Sequence, residues 1–306
     1  MNVANLLGRV LFALAWIPGQ LPLAAQRRLG NFLGSLALRL DTREARVARR
    51  NLELIAAGDD GAEGQTHDRQ VREVLQATGR NALETLRVWT RPQASNLALV
   101  RRVHGAQHID ALRALGRGLI IAAPHFGNWE LLIEYLSSLA PFALVYRVPE
   151  KPAGDVFLRL ARRGANVRLV PAQANAMRPL WRALQAGEIV GITPDQQPKL
   201  GSGEFAPFFG RQALTLSLLP KLAARSGAPV LFAFAEPVSA GFEIHFEPAS
   251  ADVSDGDLRV ATAAMNAQVE AIARRDLAAY QWTYKRFSRR PPGSGEKNPY
   301  FPDCYR

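Results

Sequence analysis

The chain has 306 residues, enough for one large domain or two small ones, and its hydrophobic content of 48% is ordinary for a globular protein. Its charge is not ordinary: 38 Lys and Arg against 27 Asp and Glu give a net charge of +11, which favours anionic partners such as a membrane surface, an acidic protein or a nucleic acid. The single cysteine, Cys304, excludes an intramolecular disulfide and a cysteine-based metal cluster.

The N-terminal segment is mostly apolar over residues 3–25, but Arg9 interrupts it and Pro18-Gly19 divides it. A membrane-spanning helix needs about 20 apolar residues, so this segment is short for an uninterrupted span. We expect a retained membrane anchor over residues 1–25, with Trp16 at the interface and the following arginines on the cytoplasmic side. A signal peptide and an ordinary buried first helix are the alternatives.

Helical periodicity continues over residues 26–56 and again over residues 66–90. Beyond them, His104 and His108 have the i,i+4 spacing of a metal motif. The glutamate of the zinc-protease motif and a third ligand are missing, so we predict no metal there.

The next stretch combines a strand, a turn and a helix. Residues 118–123 are a short apolar block bounded by Gly and Pro, which is typical of a buried strand, and residues 131–139 have apolar residues at helical spacing. His125 therefore lies in a turn at the carboxyl end of a strand, where ligands collect in open α/β sheets. Glu130 lies near the start of the helix, for which Asn128 is the predicted N-cap.

This arrangement favours acid–base chemistry at His125. A histidine can accept a proton at neutral pH, and a carboxylate at its other ring nitrogen fixes the tautomer and stabilises the imidazolium. No Ser or Cys stands beside His125 and Glu130, so the nucleophile would be a hydroxyl group of the substrate. The alternative is a structural loop histidine, with Glu130 on a solvated helix face.

Strands and helices alternate beyond this motif. The pattern predicts strands at 142–147, 167–170 and 188–193, and helices at 155–163 and 177–186. Such alternation is typical of an α/β fold with a central, mostly parallel sheet flanked by helices. Arg147 and Asp195 each follow a strand, as His125 does, so a parallel sheet would bring all three to one crevice. Each of them alone could be an ordinary loop charge.

The C-terminal third contains a glycine-rich stretch at 201–211, which would be a flexible cover over a lipid chain or a packed loop. Beyond it the pattern predicts a helix at 214–226, paired strands at 230–235 and 242–247, and a long helix at 258–277. Residues 280–293 interleave aromatic and basic side chains, which suits a membrane interface or phosphate groups.

Together these motifs resemble those of the lipid A biosynthesis acyltransferases of the late lauroyl/myristoyl type, within the glycerolipid and lysophospholipid acyltransferase superfamily. The resemblance rests on Arg50-Asn51-Leu52, the run from His125 to Glu130, Tyr146-Arg147, Asp195-Gln196, the run from Pro207 to Arg211, Gln281-Trp282, Arg286-Phe287 and Arg290-Pro291. One departure is Tyr284, at a place where the family usually has a histidine before its closing basic pair.

The resemblance implies roles for individual residues. His125 is expected to be the general base and Glu130 its partner, and Arg147 and Asp195 are expected to belong to the active site. Substrate contacts are further predicted for Gln196, Arg211 and Asn128.

The resemblance also implies a glycerolipid acyltransferase-like fold with an N-terminal membrane-associated helix. The acyltransferase domain would span residues 26–290, followed by a polar tail at 291–306. The expected donor is acyl carrier protein and the expected acceptor is a hydroxyl group of a lipid A precursor, with no cofactor, at the cytoplasmic face of the inner membrane and against its anionic surface.

Two other interpretations remain. A lysophospholipid or glycerol-3-phosphate acyltransferase would use the same chemistry, although that branch usually has Asp where Glu130 stands. A basic membrane- or nucleic-acid-binding protein without catalysis is the alternative from a different class. The basic residues are dispersed and no nucleic-acid-binding signature is visible, so we predict no nucleic-acid partner.

Overall fold

The computed structural model describes residues 3–56, 64–114, 116–162, 166–173 and 175–306. The helices are α1 (Val3–Gly19), α2 (Leu23–Arg39), α3 (Arg43–Ala56), α4 (Gly64–Thr90), α5 (Gln93–Leu97), α6 (Ala106–Ala114), α7 (Trp129–Leu139), α8 (Pro152–Ala161), α9 (Met177–Gln185), α10 (Leu218–Ser226) and α11 (Leu258–Arg275). The strands are β1 (Val100–His104), β2 (Leu119–Ala122), β3 (Phe142–Tyr146), β4 (Val167–Pro171), β5 (Ile189–Ile192), β6 (Gly203–Phe208), β7 (Arg211–Leu216), β8 (Val230–Val238) and β9 (Gly241–Pro248).

Seven strands form one sheet in the order β1-β9-β8-β2-β5-β3-β4. Neighbouring strands pair in parallel except β8 and β9, which pair antiparallel. The predicted α/β class with a mostly parallel sheet flanked by helices is confirmed. The central strand β2 is buried along its whole length. After β2 the chain continues to β3 on one side and later returns to β8 on the other, and ligands bind at such reversals of strand order.

The stretch predicted as a flexible cover is instead a β-hairpin, and this prediction was wrong. β6 pairs antiparallel with β7 from Gly203 opposite Leu216 to Phe208 opposite Arg211. The turn between them consists of Phe209 and Gly210, both with positive φ, as two-residue hairpin turns require. The predicted helix over 214–226 consequently begins later, at Leu218.

The N-terminal segment forms two helices, α1 and α2, which meet at a bend of 109°. Neither is long and apolar enough to cross a membrane alone, although the bent pair would suffice by length and composition. One side of α1 packs against α8, where the rings of Phe12 and Phe157 lie 6.1 Å apart. Its other side is apolar and exposed, with Leu6, Leu7, Val10, Leu11, Leu14, Trp16 and Ile17.

Helices α2 and α4 approach each other closely because glycines lie between them. A Cβ atom on Gly79 would lie 2.2 Å from the backbone oxygen of Gly30, and a Cβ atom on Gly30 would lie 2.5 Å from the backbone nitrogen of Arg80. No side chain fits between these backbones. The backbones of the two helices are therefore in direct contact.

The segment with interleaved aromatic and basic residues is buried rather than placed at an interface, so that expectation was wrong for its main side chains. Tyr280, Trp282, Arg286 and Phe287 are all at most 4% exposed. The following residues also pack onto the domain: Tyr300 is buried, accepts a hydrogen bond from the backbone of Phe287 and donates one to Asn51 in α3.

We predict that Gly79→Ala lowers stability although alanine favours helix by about 1 kcal/mol. The added methyl group collides with a backbone oxygen of α2, and such overpacking typically costs about 1–3 kcal/mol. Thermal unfolding in detergent measures the effect. Gly256→Ala is the control because a Cβ there meets nothing within 4 Å. Equal melting temperatures for the two variants would contradict the close packing of α2 and α4.

Candidate active site

The register between β2 and β5 brings two polar residues together. Ala122 lies opposite Ile192 in this parallel pair. His125 follows Ala122 by three residues, and Asp195 follows Ile192 by the same number, each directly after a proline. Equal offsets from paired positions place the two side chains next to each other at the carboxyl edge of the sheet.

His125 and Asp195 form a tight hydrogen-bonded pair. One oxygen of the Asp195 carboxylate lies 2.8 Å from His125 Nδ1, and the other accepts the backbone N–H of His125 at 2.7 Å. With Nδ1 donating to the carboxylate, Nε2 is the ring nitrogen that carries a lone pair and can accept a proton. The side-chain amide of Gln196 lies 3.2 Å from that Nε2. The structure therefore brings His125, Asp195 and Gln196 together, and this group includes two of the three residues predicted at strand ends, His125 and Asp195 but not Arg147.

Asp195 is held as a carboxylate. Burial raises its pKa, but the charge of His125, two hydrogen bonds from His125 and the charge of Arg286 outweigh burial and leave the pKa below its usual value. The neighbouring Tyr280 stays protonated, since burial raises its pKa well above the usual value and the charge of Asp195 raises it further. An ionised Asp195 that accepts a hydrogen bond from the ring of His125 is the arrangement that supports a general base.

The turn that carries His125 is fixed on both sides. Gly127 adopts a positive φ, and a Cβ atom there would lie 1.9 Å from the backbone oxygen of Ala235 in β8. The backbone N–H groups of Gly127 and Asn128 donate to Ala279 and Ala235, each at 3.0 Å. They are thus already used and do not point to a reacting oxyanion.

Glu130 does not contact the ring of His125 as its predicted pairing requires. Its carboxylate accepts hydrogen bonds from Arg162 at 2.6, 3.1 and 3.2 Å, and both side chains are buried. The guanidinium of Arg162 also lies 4.7 Å from the ring centre of Trp129, which in turn lies 5.3 Å from that of His125. The reason is positional: Glu130 lies in the first turn of α7 and pairs with Arg162 at the end of α8, whereas Asp195 lies at the Nδ1 edge of the ring.

The other predicted substrate contacts are not gathered around the histidine. Arg147 is exposed at the end of β3, and Arg211 donates to the backbone oxygen of Leu54 in α3. Asn128 is fully buried and caps α7 through a bond from the backbone of Leu131, which confirms its predicted N-cap role. Contacts of these three residues with a substrate stay predictions.

Sequence reasoning missed Arg162, and it did not predict that Arg286, which belongs to the family resemblance, is buried beside the site. No sequence spacing indicates the partners of these two arginines, because the partners come from distant parts of the chain. Arg286, Tyr280 and Tyr284 line a small cavity with His125 and Asp195. A second cavity beside His125 is bounded by Trp129 and by Ala77, Thr78 and Asn81 of α4.

One group of side chains has the composition of a metal site. His104, Glu243 and His245 place possible ligand atoms within 4.8 Å of one another. The two imidazole rings are stacked, with centres 4.4 Å apart and planes 14° apart, so their lone pairs point side by side rather than to a common point. Each ring instead has its own carboxylate, His104 with Glu243 at 2.7 Å and His245 with Glu236 at 2.9 Å.

The chain was compared with known proteins. A family profile described as bacterial lipid A biosynthesis acyltransferase matches residues 7–289. The lipid A biosynthesis lauroyltransferase of Escherichia coli (strain K12) is 30% identical over 282 residues, covering 91% of this chain and 90% of that protein. The palmitoleoyltransferase of the same organism is 26% identical over 284 residues, with the same coverage. A lipid A biosynthesis acyltransferase of Haemophilus influenzae is 26% identical, covering 91% and 88%.

We predict that Glu130→Gln destabilises the protein by about 3–5 kcal/mol, because it leaves the charge of Arg162 buried without a partner. The double variant Glu130→Gln/Arg162→Met removes both charges and should regain most of the loss. Chemical unfolding in detergent measures both. A double variant no more stable than Glu130→Gln would contradict the ion pair as the source of the effect.

Glu134, one turn further along α7, gives a pH-dependent prediction. Burial raises its pKa to about 7, the hydrogen bond from Asn96 opposes this, and the charge of Glu130 adds to it. Because the unfolded carboxyl titrates near 4.5, the stability supplied by the protonated form is complete below that pH and is lost as pH rises through about 7. Glu134→Gln should therefore be more stable than the parent at pH 8, and this advantage should vanish at pH 4. An equal difference at both pH values would contradict it.

Proposed function

Because the chain belongs to the bacterial lipid A biosynthesis acyltransferase family, we propose that this acyltransferase moves a fatty acyl chain from acyl carrier protein to a hydroxyl group of a lipid A precursor. The observation that carries the proposal is the hydrogen bond between His125 Nδ1 and buried Asp195 at the carboxyl ends of two central parallel strands. It leaves Nε2 as a base at the place where such folds bind ligands.

The proposed reaction is a direct transfer. His125 Nε2 takes the proton of the acceptor hydroxyl while the oxygen attacks the thioester carbonyl carbon. Asp195, through its bond to Nδ1, stabilises the imidazolium that forms. The tetrahedral intermediate then expels the thiolate, the new ester bond replaces the carbon–sulfur bond, and the imidazolium returns its proton to the sulfur.

The side chain of Gln196 occupies the position that an acceptor hydroxyl would take. Its amide lies 3.2 Å from His125 Nε2, which is within hydrogen-bonding reach of the base. The acceptor would displace this amide, and Gln196 would then be free to bind the substrate.

The oxyanion needs a donor, and the backbone groups at Gly127 and Asn128 are committed elsewhere. Arg147 is the other donor predicted from the sequence. Its side chain is 76% exposed. Burial raises the pKa of Tyr284 in the wall of the cavity, and the hydrogen bond from Gln197 and the charges of Arg286 and Arg147 oppose this.

In this proposal Glu130 supports the site indirectly, through Arg162 and Trp129. It holds Arg162 against the ring of Trp129, and Trp129 contacts the base. This gives Glu130 a role in keeping His125 in place instead of a direct bond to its ring.

The chain has surfaces suited to both substrates. Its net charge of +11 would speed the encounter with the acidic acyl carrier protein at low salt. The exposed apolar side of α1 would lie in the surface of an anionic membrane, with the active site at the cytoplasmic face of the inner membrane. The lipid acceptor would reach the site from that membrane.

The test is acyl transfer by the purified, detergent-solubilised protein. We would offer acyl carrier protein thioesters of several chain lengths with a tetra-acylated lipid A precursor or with lysophosphatidate. We expect transfer to the lipid A precursor, lowered by at least about 10²-fold in His125→Ala, since general-base catalysis contributes about 10²–10⁴-fold. His108→Ala, which alters a histidine on α6, should keep parental activity.

Transfer to lysophosphatidate alone would move the protein to the glycerolipid branch with the same chemistry. Full activity in folded His125→Ala would overturn the assignment of the base. Absence of transfer from any acyl carrier protein thioester would overturn the proposed donor.

A further inference from the structure

Arg286 is a buried cation with neutral hydrogen-bond partners. It is 2% exposed, and its terminal nitrogens donate to the backbone oxygen of Leu214 at 2.6 Å, to the Thr215 hydroxyl at 2.9 Å and to Asn266 Oδ1 at 3.3 Å. Its Nε is buried without a hydrogen-bond partner. Among the described parts of the chain, no carboxylate lies within ion-pair distance of it.

An arginine buried in this way is costly, because removing a charge from water is repaid only by an opposite charge or a complete set of hydrogen bonds. Asp195 shares its surroundings, since Arg286 and Asp195 line the same small cavity next to His125. Their opposite charges therefore act on each other across the cavity rather than through a direct bond, while Asp195 also accepts two hydrogen bonds from His125.

The charge balance of the site depends on this pair. While His125 is neutral, the negative charge of Asp195 is matched by Arg286 and the buried group has no net charge. Without Arg286, the cation that would match Asp195 within the described parts of the chain would be a protonated His125, which lies 2.8 Å from it. A protonated His125 cannot act as a base.

We propose that Arg286 is the permanent counter-charge of Asp195 and thereby keeps His125 unprotonated for the reaction. This inference rests on the proposed function, in which His125 is the base. Arg286 is a positioning residue in this scheme: it acts through Asp195 and does not touch the substrate.

The electrostatic effects on the two groups agree with the geometry. Burial raises the pKa of Asp195, and the charge of Arg286 is among the influences that hold it below its usual value. Burial lowers the pKa of Arg286, and the surrounding tyrosines and Asp195 oppose that loss. A guanidinium remains charged under such conditions, whereas a lysine or histidine is easily deprotonated by burial.

The experiment is the pH profile of kcat/KM for the full chain, with the acyl transfer assay above, from pH 5 to pH 9. Arg286→Gln should move the midpoint of the acidic limb upward by about one pH unit, because it removes a positive charge that disfavours protonation of His125. Activity should be regained largely at high pH.

Thr215→Val is the matched structural control. It removes one hydrogen-bond partner of the guanidinium and leaves the charge, so it should lower the melting temperature without moving the midpoint. A folded Arg286→Gln protein with the parental midpoint would overturn the inference, and so would an equal shift in Thr215→Val.

A second measurement covers the case in which Arg286→Gln does not fold. The imidazole nitrogens of His125, assigned by their loss in His125→Ala, report its protonation by NMR in the native protein. We expect the neutral form with the proton on Nδ1 at pH 7, and a charged His125 there would overturn the inference. Because this readout needs no substrate, it also separates failure of the inference from failure of the proposed function.

Discussion

A buried carboxylate must be met by cations or donors, because its desolvation costs several kcal/mol. Two such carboxylates lie near the carboxyl edge of the sheet, and they have different partners. Asp195 accepts hydrogen bonds from the ring and the backbone of His125, and Arg286 lines the same cavity. Glu130 forms an ion pair with Arg162. Because of these two pairings, Asp195 and not Glu130 is hydrogen-bonded to the ring of His125. The bond from the backbone of His125 to Asp195 also holds the turn that carries the histidine.

The sequence predicts much of the sheet because its strands are short apolar blocks followed by helices. It also predicts that His125, Arg147 and Asp195 lie at strand ends. It does not predict that β2 and β5 are neighbours, since β3 and β4 come between them in the chain. That adjacency, and not proximity along the chain, selects Asp195 over Glu130 as the carboxylate on the ring.

The error in interpreting residues 280–293 has a physical cause. Basic and aromatic side chains suggest a surface when they are considered by composition alone, whereas a fold can bury both if donors find acceptors. Arg286 is buried because carbonyl and amide oxygens of β7 and α11 face it. Tyr284, the departure from the usual family pattern, accepts the backbone N–H of Gln197 at 2.9 Å, so it anchors the loop that follows Asp195.

The glycine contact between α2 and α4 joins an exposed apolar surface to the wall of the cavity beside His125. α2 carries exposed apolar side chains at Leu29, Phe32 and Leu33, and α4 forms the wall of the cavity beside His125. Ala77, Thr78 and Asn81, which line the cavity, stand on both sides of Gly79 in the chain. The backbone contact between Gly30 and Gly79 therefore sets how closely α2 lies behind the cavity wall beside His125.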